Sequence, residues 1–174
     1  MVIWVTGLPG SGKSTITLEL QKRLQLQNIN PVILDGDELR RALNNRAYDS
    51  SSRQQLALTY SKLASLFSKQ GHIVIVATVS LFHSVHQWNR ANITKYIEVF
   101  IKPCFETLHQ RDQKGLYSSS CDSLGERMGK QITPEYPTSP DITIDNRTEQ
   151  DLHINTRLLL NEILNRFDHA SLKN

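Results

Sequence analysis

The sequence predicts an α/β fold, a parallel five-stranded sheet with helices on both faces, and three observations carry that prediction. Short apolar runs rich in Val and Ile recur along the chain. Helix-like stretches separate them. The first run leads straight into a glycine-rich turn, VTGLPGSGKST at residues 5–15. Continuous β-branched runs, in place of strict apolar/polar alternation, suit strands covered on both faces. Strands that alternate with helices build a doubly wound parallel sheet.

The strands are predicted at residues 2–6 (VIWVT), 31–35 (PVILD), 72–79 (HIVIVATV), 96–101 (YIEVFI) and 141–145 (DITID). A helix over 14–27 places Ile16, Leu20 and Leu24 four apart on one face. A second, over 52–70, carries Leu56, Leu63 and Leu66 near helical spacing, and Gly71 stands where a helix-terminating glycine belongs. A third, over 152–167, has Leu159, Ile163 and Phe167 in register. Residues 44–52 and 117–140 are polar and rich in turn formers. A loop as long as the second is usually a lid or disordered, and a lid or acceptor loop over about 112–140 is expected. With no repeat and no boundary, the 174 residues read as one domain, 1–174.

Composition narrows the function classes. The net charge of +3 is a mild excess spread along the chain, which argues against a nucleic-acid polymer or a membrane surface as partner. No apolar run approaches the ~20 residues needed to cross a bilayer, and the start of the chain does not resemble a signal peptide. Cys104 and Cys121 lack metal-type spacing and read as reduced thiols. The expected location is the cytoplasm, and the Asn-x-Thr matches at Asn92 and Asn146 read as chance.

The glycine-rich turn carries the chemistry. Gly7, Gly12, Lys13 and Ser14 satisfy G-x-x-x-x-G-K-[ST] at every fixed position, after a strand and before a helix. Backbone amides from Gly7, Leu8, Pro9, Gly10, Ser11, Gly12, Lys13, Ser14 and Thr15 surround such a site, proline shaping the turn without a donor, and the helix directs its positive end at phosphate. Lys13 is expected at the β/γ oxygens of ATP, and the Ser14 hydroxyl on Mg2+. A switch GTPase would need a base-reading Asn-Lys-x-Asp, which is missing. The Asp-x-x-Gly match at residues 122–125 sits in the serine-rich loop, not after a strand. A motor ATPase would end its third strand on Asp, where this chain has Thr78 and Ser80. A small-molecule kinase remains.

Its acceptor side is expected at the end of the second strand, where LDGDELR occupies residues 34–40. Asp35 and Asp37 stand two apart, with Gly36 allowing close approach. One carboxylate can receive the acceptor's proton while the other supports the magnesium water shell. Arg40, a turn further on, can grip an anion. The competing reading is a solvated turn in which Asp37 caps a helix.

These residues resemble the adenylylsulfate (APS) kinases. LDGDELR resembles that family's D-G-D-N-x-R. SLFHSVHQWNR (80–90) resembles S-P-Y-R-x-x-R-x-x-x-R, and RDQKGLY (111–117) resembles R-D-P-K-G-L-Y. The resemblance implies transfer of the γ-phosphate of MgATP to the 3′-hydroxyl of an anionic nucleotide's ribose. It implies Asp37 as base with Asp35 and Lys13 beside it, and Asp35 on Mg2+ through water. It also implies Arg111 near ATP. Asp37, Arg40, Tyr48, Arg53, Ser80, Phe82, Lys114, Gly115 and Leu116 would face the acceptor, and a homodimer is common in the family. Tyr48 falls where the family stacks a Phe on the acceptor's base.

The departures lie on the acceptor side. After Arg53 the chain reads QQLALT, placing Leu56 at the family's Asn and Leu58 and Thr59 at its arginines. His83 and His86 replace two more arginines, with Arg90 kept; both histidines also read as plain surface residues of a short helix. The lid's Phe-Thr-Gly-Ile-Asp is missing, and its stacking Phe falls near Arg127. Some APS kinase-like proteins of surface-polysaccharide pathways phosphorylate cytidine diphosphoramidate instead, so the acceptor is left open between the two. A nucleotide-binding regulator without catalysis is the reading from another class.

Overall fold

The five predicted strands form a single parallel sheet in the order β2-β3-β1-β4-β5. The computed structural model describes every residue except 48, 103–104, 111–132 and 172–174, and the side chains at 105, 109–110, 149–150 and 167–171 also lie outside the description. The strands are β1 (Val2–Gly7), β2 (Val32–Asp35), β3 (Val74–Thr78), β4 (Tyr96–Ile101) and β5 (Ile142–Ile144). The helices are α1 (Lys13–Gln25), α2 (Gly36–Ala42), α3 (Ser50–Lys69), α4 (His83–Asn92), α5 (Phe105–Gln110) and α6 (Glu149–Ser171). The expected sheet, with helices on both faces, is the one observed.

Strand pleating sends alternate residues to opposite layers. Val2, Trp4, Val74, Val76, Tyr96 and Phe100 meet Leu56, Tyr60 and Ala64 of α3 and Val85 of α4. Ile3, Val5, Ile75, Ile97 and Val99 meet Ile16, Leu20 and Leu24 of α1 and Leu159 and Ile163 of α6. Every residue of β1, β3 and β4 is buried, which explains why those runs are continuous in the sequence.

One part of the α3 expectation fails. Leu66 is 52% exposed, and the buried face is instead Leu56, Ala57, Tyr60, Ser61, Ala64 and Ser65. At about 100° per residue, that row of pairs four apart puts Leu66 roughly on the opposite side. The end of α3 is as expected: Gly71 donates to the Ser68 carbonyl and His72 to that of Phe67, closing a Schellman turn. Among the described residues no helix is long and apolar enough to cross a membrane.

Candidate active site

Parallel strands place their carboxyl ends along one edge, and three loops meet there. The first, after β1, turns into α1 through Gly12, whose φ is 95°. A side chain at Gly7 would lie 2.5 Å from the Ile101 carbonyl oxygen and 2.9 Å from Ser11 Oγ, so only glycine fits the loop against β4. Lys13 Nζ donates to the carbonyls of Gly7 (3.0 Å) and Leu8 (2.8 Å), folding the ammonium over the loop. Asn146, just beyond β5, donates to the Ser11 carbonyl at 3.3 Å and is 3% exposed. It therefore pins the loop from below. Its match to a glycosylation pattern is chance, because a buried amide cannot carry a glycan. Nothing in the sequence around Asn146 announces this role, since a contact across 135 positions is set by the sheet.

The second loop follows β2. Asp35, not Asp37, caps α2: its Oδ1 accepts from the backbone amides of Asp37 (2.9 Å) and Glu38 (3.2 Å). This corrects the capping alternative, and the reason is register, since Asp35 is the last extended residue. Its other oxygen, Oδ2, accepts from the Ser14 hydroxyl at 3.3 Å. Loop and carboxylate are thus joined, and Asp37 is left exposed beside them. Gly36 packs against β3, where an added Cβ would lie 2.9 Å from Thr78 Oγ1 and 3.2 Å from Thr78 Cβ. The buried Tyr60 hydroxyl donates to the Gly36 carbonyl (3.2 Å), and burial pushes its pKa up to about 12. Arg40 Nη1 holds Asn45 Oδ1 (3.1 Å) and the Ala47 carbonyl (2.7 Å), fixing the loop that leads toward α3.

The third loop follows β3. Ser80 is buried and shares a hydrogen bond of 2.8 Å with Thr78 Oγ1. Phe82, 7% exposed, belongs to the apolar layer and faces a cavity of about 410 Å³ with Ser50, Gln54 and Glu135. Arg53 lies in the first turns of α3, partly buried, near Ser50 and Gln54 in sequence. Leu56, at the family's Asn position, is in the core, Leu58 packs against the core, and Thr59 bonds the Gln55 carbonyl. Tyr48, Arg111, Lys114, Gly115, Leu116 and Arg127, both cysteines, and most of the expected lid lie outside the described residues.

The two histidines are not plain surface residues. His83 donates from Nε2 to the Tyr136 carbonyl at 2.8 Å, and its backbone amide donates to Glu135. Glu135 thereby caps α4, whose own N-cap residue, Phe82, has no capping side chain. His86 is 5% exposed and donates from Nε2 to the Ser80 carbonyl at 3.0 Å. Its Nδ1 lies 3.6 Å from Glu98 Oε1. Helical periodicity places His86 beside Val85 and Asn89, on the core face of α4.

Glu98, 1% exposed in mid-β4, anchors a polar cluster that the sequence reading missed. Arg90 Nη2 donates to its Oε2 at 2.7 Å, and the Tyr96 hydroxyl to its Oε1 at 3.2 Å. Arg90 also donates to the Ser139 carbonyl at 2.6 Å and pairs with Asp141 at 3.3 Å. The retained family arginine is therefore engaged within the sheet layer and by residues 139–141. A lone Glu inside the apolar run YIEVFI was the signal available in the sequence.

Burial lowers the pKa of His86 from its ordinary 6.5, with the Glu98 carboxylate opposing the shift. A lowered imidazole means that the unfolded chain binds a proton which the folded chain resists. Stability is then full above pH 6.5, falls as pH drops through that value, and levels off below the folded pKa. The expected slope is up to about 1.4 kcal/mol per pH unit. Urea midpoints across that range should show it, and His86→Gln should flatten it.

The chain matches the family profile described as adenylylsulphate kinase over residues 1–145. It is 37% identical over 163 residues to the cytidine diphosphoramidate kinase of Campylobacter jejuni, covering 93% of this chain and 95% of that protein. With the adenylyl-sulfate kinase of Pseudomonas aeruginosa it shares 38% over 152 residues, covering 85% of this chain and 78% of that one. The solved structure of a Mycobacterium tuberculosis APS kinase in complex with AMPPNP and APS superposes with a TM-score of 0.77 at 26% identity, covering 92% of this chain and 96% of that one. The chain belongs to the adenylylsulphate kinase family, phosphotransferases that act on a hydroxyl group.

Proposed function

We propose that this chain transfers the γ-phosphate of MgATP to the 3′-hydroxyl of an anionic nucleotide's ribose, with residues 1–174 acting as one cytoplasmic domain. The observation that carries the reading is the meeting of the phosphate loop with the Asp35–Asp37 turn, joined by the bond between Ser14 and Asp35. In this reading the loop amides and the α1 N-terminus hold the ATP phosphates, and Lys13 exchanges its two carbonyl partners for β/γ oxygens. A hydroxyl and a carboxylate side by side are hard oxygen donors suited to Mg2+, so Ser14 directly and Asp35 through water fit the ion. The ion would neutralise charge on the bridging phosphate oxygens. Asp37, whose partner Asp35 is committed to the cap, receives the proton of the acceptor hydroxyl. Arg40 and Arg53 flank the acceptor's anionic group. Tyr48, Ser80, Phe82, Lys114, Gly115 and Leu116 complete the acceptor side, and Arg111 the ATP side, as the family resemblance implies.

Adenylylsulfate is the family's default acceptor. A cytidine nucleotide, cytidine diphosphoramidate, is the second reading. What favours it is that the family's Asn position is a core leucine here, while the two histidines that replace arginines bond the Tyr136 and Ser80 carbonyls. The likeness to the Campylobacter jejuni enzyme supports it too. Turnover coupled to ADP release, measured with MgATP and each acceptor in turn, separates the two. Faster turnover of adenylylsulfate would make the substitutions at Leu56, His83 and His86 tolerated variation. Turnover confined to the cytidine compound would make them part of acceptor choice.

A further inference from the structure

We propose that the cavity between the starts of α3 and α4 receives the acceptor's base, and that Glu135 with Gln54 selects a base bearing an exocyclic amine. The inference rests on the nucleotide-kinase reading and deepens it. The cavity's position follows from the chain of contacts at the sheet edge. Gly36, beside Asp37, packs on Thr78, Thr78 bonds Ser80, and Phe82 two residues on forms the cavity wall. A nucleoside with its ribose hydroxyl at Asp37 can therefore extend its base along β3 into this space. The volume, about 410 Å³, is that of a small-molecule site.

The wall chemistry selects the group. Ser50, Gln54, Phe82, Ser84, Thr133 and Glu135 line the cavity together with His83, and among the described residues the lining has no lysine or arginine. Its hydroxyls, on Ser50, Ser84 and Thr133, can donate or accept, while the nitrogen donors are engaged with the protein. Gln54 Nε2 donates to Ser84 Oγ at 2.6 Å, and His83 Nε2 donates to the Tyr136 carbonyl. Glu135 spends one carboxylate oxygen, Oε2, on the His83 amide. Besides those hydroxyls the wall offers a ligand two acceptor-only oxygens, Glu135 Oε1 and the Gln54 carbonyl, beside the apolar face of Phe82. An amine donates to such a wall, whereas a keto oxygen at the same place meets a carboxylate with no proton between them. Cytosine and adenine carry the amine, and their deaminated counterparts, uracil and hypoxanthine, do not.

The test compares an accepted nucleotide with its deaminated counterpart in wild type, Glu135→Gln and Gln54→Ala. Glutamine keeps an oxygen for the His83 amide yet adds an NH2 group that can donate to a keto oxygen. Wild type should favour the amine compound in kcat/KM by about 100-fold or more, and Glu135→Gln should shrink that ratio to about tenfold or less. An unchanged ratio in both variants overturns the proposal. Calorimetry of cytidine and uridine 5′-monophosphates, and of the adenosine and inosine pair, reads the same selectivity without turnover. Equal binding within both pairs, or no binding of any, also overturns it. Amine-selective binding without acceptor-dependent ADP release would instead sink the kinase reading and leave this one standing.

Discussion

Asp37→Ala is expected to lower acceptor-dependent turnover by about 10²–10⁴-fold while leaving ATP affinity within about twofold, the range for removing a general base. The asymmetry comes from the turn itself. Asp35 is engaged by two backbone amides and by Ser14, so its removal would disturb both α2 and the phosphate loop. Asp37 contributes its backbone amide to that cap, and alanine preserves the amide. Isothermal titration with a non-hydrolysable ATP analogue, set beside initial rates, separates binding from chemistry. Normal binding with lost turnover supports Asp37 as base. Normal turnover would move the proton to another group and reopen the regulator reading for a chain that binds nucleotide without needing this carboxylate.

Arg90→Ala is expected to destabilise the fold by about 3 kcal/mol or more, because it leaves the Glu98 charge in the sheet layer without its cation. Glu98 is 1% exposed, and its remaining bond from the Tyr96 hydroxyl is neutral. Burial and the same carboxylate raise the Tyr96 pKa, so that phenol stays a donor. Glu98→Gln removes the charge and keeps the shape, and should cost less. In the double variant the two effects should fall short of their sum by about 1 kcal/mol or more, since neither partner is then an unpaired ion. Urea denaturation of the four proteins measures this. Strict additivity would show that Arg90 acts through Ser139 and Asp141 alone.

Much of the fold was legible because its signals are local. β1, β3 and β4 are buried throughout, so their apolar runs needed no partner to be recognised, and β4 appears at the expected residues. The phosphate loop was legible for a similar reason, as its glycines and Lys13 act within a few positions of one another. Leu66 was misplaced because apolar character alone does not say which side of α3 faces the sheet, and small residues such as Ala57, Ala64 and Ser65 occupy the close contact. α2 was foreseen only in the competing reading, with its cap two residues late, since none of its residues is buried and no apolar stripe marks it.

By itself, then, the sequence determined the α/β class, the phosphate loop, the Asp35–Asp37 turn and the family. Each depends on residue types at short, fixed spacing. Only the tertiary structure decided that Asp35 is both cap and partner of Ser14, that Asn146 supports the loop, and that His86, Arg90 and Glu98 share one cluster. It also decided that Gln54 and Glu135, 81 positions apart by their numbers, line one cavity. The physical reason is that hydrogen bonds and ion pairs between distant segments depend on which carboxyl ends the parallel sheet sets side by side. That adjacency follows strand order, and strand order is written in packing, not in any local run of residues.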